Sequence, residues 1–284
     1  MPRRTPIMQR YATRMVVKRA RKNPGEPLSP EDWEAYWSLA AETGHRAFSK
    51  MLGAMPSNPR CGYCGAPFGG VGGRMLRPLG YRPSRKNPSI CDVCVEASPP
   101  GGMSLEIGVL FADVRGFTTL SEGRTSHEVS LLLRRFYKTA REVLWPEAMI
   151  DKLIGDEVMA LYLPHPKHRH DAYDARLAAT MLRHARGLLE GVGYGTAEGP
   201  FLDLGVGLDF GEAFVGNIGD GAVQDFTAVG DVVNTASRLT GEARGGEIVL
   251  SERLAAVLDD PPGEPCALTV KGKAAPVPAR RLAV

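Results

Sequence analysis

An α+β fold is predicted from three observations. From Leu105 onward, apolar strand-like runs alternate with helix-period segments in the order β-α-β-β-α-β. Two of the strands in that run end on acids, Asp113 and Asp156. Ahead of it, residues 60–97 hold four cysteines as two Cys-x-x-Cys pairs, in a segment too short to bury a core unaided.

Leu105 to Ala112 reads as an apolar strand that stops at Asp113, and 126–145 as an amphipathic helix. Ala148 to Ile154 and Val158 to Leu163 read as two strands turning at Gly155-Asp156. Residues 171–189 form a second helical stretch, and Leu202 to Asp209 open a further strand. This is the ferredoxin-like order, in which the third strand runs antiparallel beside the first. Asp113 and Asp156 are therefore expected side by side. Further on, Asp225 to Gly230 reads as a strand and Asp231 to Leu239 as a helix with Asp231 as N-cap.

Pro56-Ser57-Asn58-Pro59 and Ser98-Pro99-Pro100-Gly101-Gly102 divide the chain into a helical segment with a basic start (1–58), a cysteine module (59–100) and a larger domain (101–284). In the first part a basic helix is expected near 7–22. A second opens at Ser29-Pro30-Glu31-Asp32, with Ser29 as N-cap and Trp33, Tyr36, Trp37, Ala40 and Ala41 on one packing face.

The 284 residues are 43% apolar and 24% charged, which excludes wholesale disorder. The net charge of +3 conceals an asymmetry. Residues 1–100 carry 16 Lys+Arg against 7 Asp+Glu, and residues 101–284 carry 19 against 25, so the parts stand at +9 and −6. Eight basic residues fall in the first 22 positions, a block that either binds a polyanion such as nucleic acid or, as is expected here, stays solvated or folds onto the acidic half. No window approaches the roughly 20 uninterrupted apolar residues of a membrane helix. The start lacks a secretion signal's apolar stretch, so a cytoplasmic protein without a membrane span is expected.

Four thiolates from Cys61, Cys64, Cys91 and Cys94 suit one tetrahedral structural Zn²⁺ per chain, with an iron–sulfur cluster as the alternative. Gly69, Gly70, Gly72 and Gly73 are expected to form turns beside that site. Cys266 is expected as a small buried apolar residue, and His165, His168 and His170 as a solvated loop.

Two carboxylates at converging strand ends form a hard-oxygen site for Mg²⁺ or Mn²⁺, the kind that serves a phosphate substrate. Lys152, on a strand reading Ile150, Leu153 and Ile154, looks buried and in need of a partner. Asn234 and Arg238, four apart on a helix, project from one face as a candidate phosphate and sugar clamp.

Three blocks then resemble the signatures of the class III nucleotidyl (adenylate and guanylate) cyclases: Phe111-Ala112-Asp113-Val114-Arg115-Gly116-Phe117-Thr118, Lys152-Leu153-Ile154-Gly155-Asp156, and Thr227 to Arg238. The resemblance covers about 105–284 and implies the ferredoxin-like core of that family. By it, Asp113 and Asp156, with the carbonyl of Val114, hold two Mg²⁺ or Mn²⁺ per active site. Lys152 and Thr227 read the purine, Asn234 orients the ribose, Arg238 stabilises charge on the α-phosphate, and Lys271 takes the terminal phosphates. It further implies a homodimer whose active sites are shared between chains. The Lys152 and Thr227 pair favours adenine, so the expectation is an adenylate cyclase making cyclic AMP and pyrophosphate from ATP. The alternatives are a cyclase acting on GTP, and a catalytically degenerate nucleotide sensor with a zinc-dependent binding module.

Overall fold

The computed structural model describes residues 26–35, 59–61, 64–95, 98–164, 171–220 and 223–284. The basic helix near 7–22, Tyr36, Trp37, Ala40 and Ala41, and the three histidines at 165–170 lie outside the described residues. The chain forms two compact units, one comprising residues 1–104 and 214–228 and the other residues 105–213 and 229–284.

The second unit carries the expected α+β core. Strand β1 (Gly101–Val114) enters it at residue 105, buried without interruption from Ile107 to Ala112. After the short helix α2 (Phe117–Glu122) comes α3 (Ser126–Leu144), opened by a capping box in which the Thr125 hydroxyl accepts from Glu128 N and the Glu128 carboxylate accepts from Thr125 N. Then follow β2 (Met149–Ile154), β3 (Glu157–Tyr162), α4 (Asp171–Val192) and β4 (Leu204–Asp220). The sheet order is β2-β3-β1-β4, continued by β6 (Glu247–Ser251), β8 (Val277–Ala283) and β7 (Glu264–Leu268).

Helices α3 and α4 cover one face of this sheet. Phe136, Ala140 and Leu144 meet Ala178, Met181, Ala185 and Leu188 over Leu110, Ala112, Val158 and Ala160. Helix α5 (Asp231–Glu242) packs on β4 at Gly207, where a methyl group would come within 2.5 Å of Ala236 O and 2.3 Å of Thr240 N. Only glycine admits so close an approach. The short helix α6 (Glu252–Ala255) follows β6.

In the first unit, residues 30–35 are helical and Asp32 N donates to Ser29 Oγ at 3.2 Å, as expected of an N-cap. Trp33 is fully buried; its indole N–H reaches Pro99 O at 3.1 Å and its ring lies 6.3 Å from Phe226. Phe226 belongs to β5 (Val223–Val229), which pairs with β4.

Several expectations are corrected here. Gly70 to Gly73 open a helix, α1 (Gly70–Leu76), rather than turns, and Gly73 has no room for a Cβ against Phe68 O. Helix α5 begins at Asp231 with Gly230 as its N-cap, because the Asp231 carboxylate is held by Lys273 and by Arg253 at 3.3 Å. Cys266 is only half-buried, against the Leu268 and Val270 cluster, since β7 is an edge strand.

Candidate active site and candidate metal centre

Strand β1 pairs antiparallel with β3 so that Asp113 stands opposite Glu157. Asp156 is the residue before Glu157, in the β2–β3 turn. Directly opposed Cα atoms in such a ladder lie about 4.5–5.5 Å apart, so the register sets the two aspartates at neighbouring strand ends. Gly155 makes the turn, with φ +63, and its carbonyl accepts from the Tyr137 hydroxyl of α3. The helix thus pins the turn that carries Asp156.

The composition of the second carboxylate's surroundings shows in two shifts. Burial, reinforced by the Asp156 charge, raises the Glu157 carboxyl above its ordinary value. Burial lowers the Arg115 guanidinium, while Asp156 and Glu157 hold it up. Arg115 thus lies within electrostatic reach of both acids. It also donates to the Asp113 carboxylate, and its Nη1 reaches the carbonyls of Thr240 at 3.1 Å and of Gly241 and Ala243 at 3.5 Å. These are the terminal carbonyls of α5, where an arginine is a favourable cap. One side chain ties the acidic strand end to the helix bearing Asn234 and Arg238. Arg115 stands inside the first signature block, yet nothing in its sequence neighbours signals the distant helix end that it caps.

On α5, Asn234 is exposed and Arg238 half-buried, on the same side of the helix. Gly272, beside Lys271, abuts Arg238: a methyl group there would lie 3.1 Å from its Nη2. The exposed Lys271 thus sits in a turn next to the Arg238 guanidinium. Thr227 lies half-buried on β5 in the other unit. Lys152 departs from expectation: β2 is an edge strand with a bulge between Ile150 and Lys152. Lys152 is partly exposed and sits 3.1 Å from the buried Asp151 carboxylate, and the following Leu153 and Ile154 face solvent, 49% and 52% exposed. A deeper ion network lies beyond α5, where the buried Asp209 carboxylate is bonded by Ser251 and Arg253, and Arg253 in turn bonds Asp231. Burial raises Asp209, and the Arg253 hydrogen bonds oppose that rise.

The four cysteines Cys61, Cys64, Cys91 and Cys94 are buried, with their Sγ atoms all within 4.8 Å of one another. Cys64 Sγ and Cys91 Sγ are 3.6 Å apart. A tetrahedron with Zn–S bonds of about 2.3 Å has edges of about 3.8 Å, so this spacing fits a single ion and is far too long for a disulfide. Each pair closes a knuckle: Gly65 N donates to Cys61 O and Cys94 N to Cys91 O, while the backbone N–H groups of Cys64 and Cys91 point at Cys61 Sγ. Side-chain contacts with Cys64, Cys91 and Cys94 lower the Cys61 thiol strongly; contacts with Cys61 and Cys64, together with burial, push Cys91 and Cys94 strongly up. Phe68, Tyr81, Ile90 and Val93 pack round the sulfurs, a small apolar shell that matches a closed structural site.

Residues 103–277 match the family described as the adenylate and guanylate cyclase catalytic domain. The chain is similar to adenylate cyclase 1 of Rhizobium meliloti, 32% identical over 48% of this chain and 20% of that protein. It is also similar to an adenylate cyclase of Anabaena cylindrica, 29% identical over 58% of this chain and 34% of that one. It thus spans about a third or less of these curated relatives. Among solved structures it resembles the adenylyl cyclase CyaB from P. aeruginosa (27% identity, TM-score 0.55, 64% of this chain and 96% of that one). It resembles the guanylyl cyclase Cya2 as closely (28%, TM-score 0.54, 64% and 93%). A family match across more than half the chain, with the signature blocks at the strand ends and on α5, places this protein in the adenylate and guanylate cyclase catalytic domain family.

Proposed function

We propose that the protein is an adenylate cyclase, converting ATP to 3′,5′-cyclic AMP and pyrophosphate in active sites shared across a homodimer. The observation that carries this reading is the β1–β3 register, which sets Asp113 beside the turn holding Asp156. The donor set is two carboxylates and the Val114 carbonyl, all hard oxygens, which fits a pair of Mg²⁺ or Mn²⁺ ions. Bound there, such ions neutralise the triphosphate and acidify the ribose 3′-hydroxyl.

The chain's own groups do the rest by position and charge. The 3′-oxygen attacks the α-phosphorus in line, the bond to the β-phosphate oxygen breaks, and the hydroxyl proton passes to solvent. Asn234 orients the ribose, Arg238 holds the charge gathering on the α-phosphate, and Lys271 in the adjoining turn takes the leaving phosphates. Lys152 and Thr227 read adenine. Arg115 fixes the Asp113 carboxylate through its anchor on α5. Shared sites need a second copy, and the solvent-facing Leu153 and Ile154 beside Asp156 supply apolar surface for one.

The cysteine set is assigned one structural Zn²⁺. Four free thiols in one cluster fit a reducing compartment, the cytoplasm, and among the described residues no helix is long and apolar enough to cross a membrane.

The test is the purified chain incubated with Mn²⁺ or Mg²⁺ and each of the four nucleoside triphosphates, with products identified by mass spectrometry. Cyclic AMP from ATP alone is expected. Cyclic GMP instead would transfer the reading to GTP, and no cyclic product would leave a nucleotide-sensing or zinc-dependent binding module.

A further inference from the structure

The two knuckles are joined by a loop whose shape is dictated by its own side chains. Ser84 and Asn87 are buried. Ser84 N donates to Ile90 O at 2.9 Å, Lys86 N to Ser84 Oγ at 3.1 Å, and Ser89 N to Asn87 Oδ1 at 2.8 Å. Pro83 bridges directly to Cys91. The backbone of Lys86 is therefore set by the second knuckle.

From that loop the Lys86 ammonium reaches β5, within the same unit. It donates to Asp225 Oδ1 at 2.5 Å and to Phe226 O at 2.7 Å, and its side chain is only 16% exposed. The second contact is the telling one. Phe226 C=O and Thr227 N–H belong to one planar peptide unit, so holding that oxygen orients the backbone of Thr227. The Phe226 ring, tilted against buried Trp33, anchors the side chain of the same residue.

We propose that Lys86 is a positioning residue for the base-reading strand: through it the four-cysteine module holds the Phe226–Thr227 peptide, and metal loading of the module sets nucleotide affinity. This rests on the cyclase reading for the role of Thr227. Loss of metal frees the knuckles, the loop loses its frame, and the lysine's grip on β5 relaxes. Charge-assisted hydrogen bonds in a partly dry setting are strong enough for such control.

Full-length protein is compared as isolated, after the cysteine site is stripped with a mercurial and chelator, and as Lys86→Gln and Lys86→Arg. Hydrogen exchange of peptides covering 223–229 is measured, with KM and kcat for ATP and GTP alongside. Faster exchange is expected in the stripped and Lys86→Gln proteins, with KM for ATP up about tenfold and kcat little changed, as loss of one charged hydrogen bond implies. Lys86→Arg is expected to restore both, and Lys138→Gln, on exposed surface of α3, to change neither. Should Lys86→Gln fail to fold, Asp225→Asn removes the charge that seats the lysine from its more exposed side while leaving the Phe226 carbonyl contact, and is expected to move exchange and KM in the same direction by a smaller factor. Unchanged exchange at 223–229 overturns the proposal, as does faster exchange with unaltered KM. A wild-type protein that makes no cyclic nucleotide defeats the cyclase reading separately, while exchange still decides whether the module holds β5.

Discussion

Replacing Arg115 by alanine removes one side chain that serves two elements. Its guanidinium bonds the Asp113 carboxylate and the Thr240 carbonyl at 3.1 Å, with longer contacts at 3.5 Å to Gly241 and Ala243. The side chains of Arg115 and Asp113 are 21% and 27% exposed, so water only partly replaces what is lost. Hydrogen bonds to charged groups contribute about 1.5–3 kcal/mol each, and the 3.5 Å contacts add little, so two bonds near the lower figure give about 3 kcal/mol. In a chain of this size that lowers the melting temperature by about 6–12 °C. Arg115→Lys keeps the charge but loses the planar fork, and is expected to recover about half of the loss. Asp113→Ala should cost less than Arg115→Ala, because the α5 carbonyl contact survives. Differential scanning calorimetry of the three variants checks this, and an Arg115→Ala protein melting within about 2 °C of wild type would refute the anchoring role.

Three further outcomes are expected. His184 is buried between Tyr162 and Glu147 with Arg183 nearby, and burial lowers its pKa below the ordinary 6.5. The unfolded chain therefore takes up the proton first, so stability is untouched above about pH 6.5 and falls as pH drops through the lowered folded value; melting curves should show a shallower acid limb for His184→Gln, and equal limbs would contradict it. Gly155→Ala forces a methyl group into left-handed backbone at about 1–2 kcal/mol, whereas Gly155→Asn is tolerated better; thermal melts of the pair test the order. If the cluster holds the proposed zinc, elemental analysis should find about one zinc per chain in the wild type and in Cys266→Ser and none in Cys64→Ser; equal contents in all three would contradict the assignment.

The core was legible because its strands are buried on both faces or alternate cleanly, as β1 from Ile107 to Ala112 shows. The meeting of Asp113 with the Asp156 turn followed from topology alone. The strands after α5 were not read, and the charged β8, with Arg280 and Arg281 among its residues, carries little apolar signal. Lys152 was misjudged since apolar neighbours in sequence do not reveal that β2 is an edge, where Leu153 and Ile154 face outward. Arg115 and Lys86 escaped notice for a different reason: their partners, Thr240 and Asp225, are 125 and 139 residues away. The four-cysteine cluster needed no such distance information within each knuckle, because Cys-x-x-Cys spacing already closes the turn.

Each proposed active site takes its carboxylates and its arginine from different copies of the chain. Purified Asp113→Ala and Arg238→Ala proteins, each assayed alone and then after mixing and re-equilibration, test this most directly. Each alone should be inactive. In the mixture half the dimers are mixed and each has one intact site of two, so about a quarter of wild-type cyclase activity is expected from the symmetry of a shared-site dimer. A mixture as inactive as its components, although mixed dimers form, would contradict the shared site.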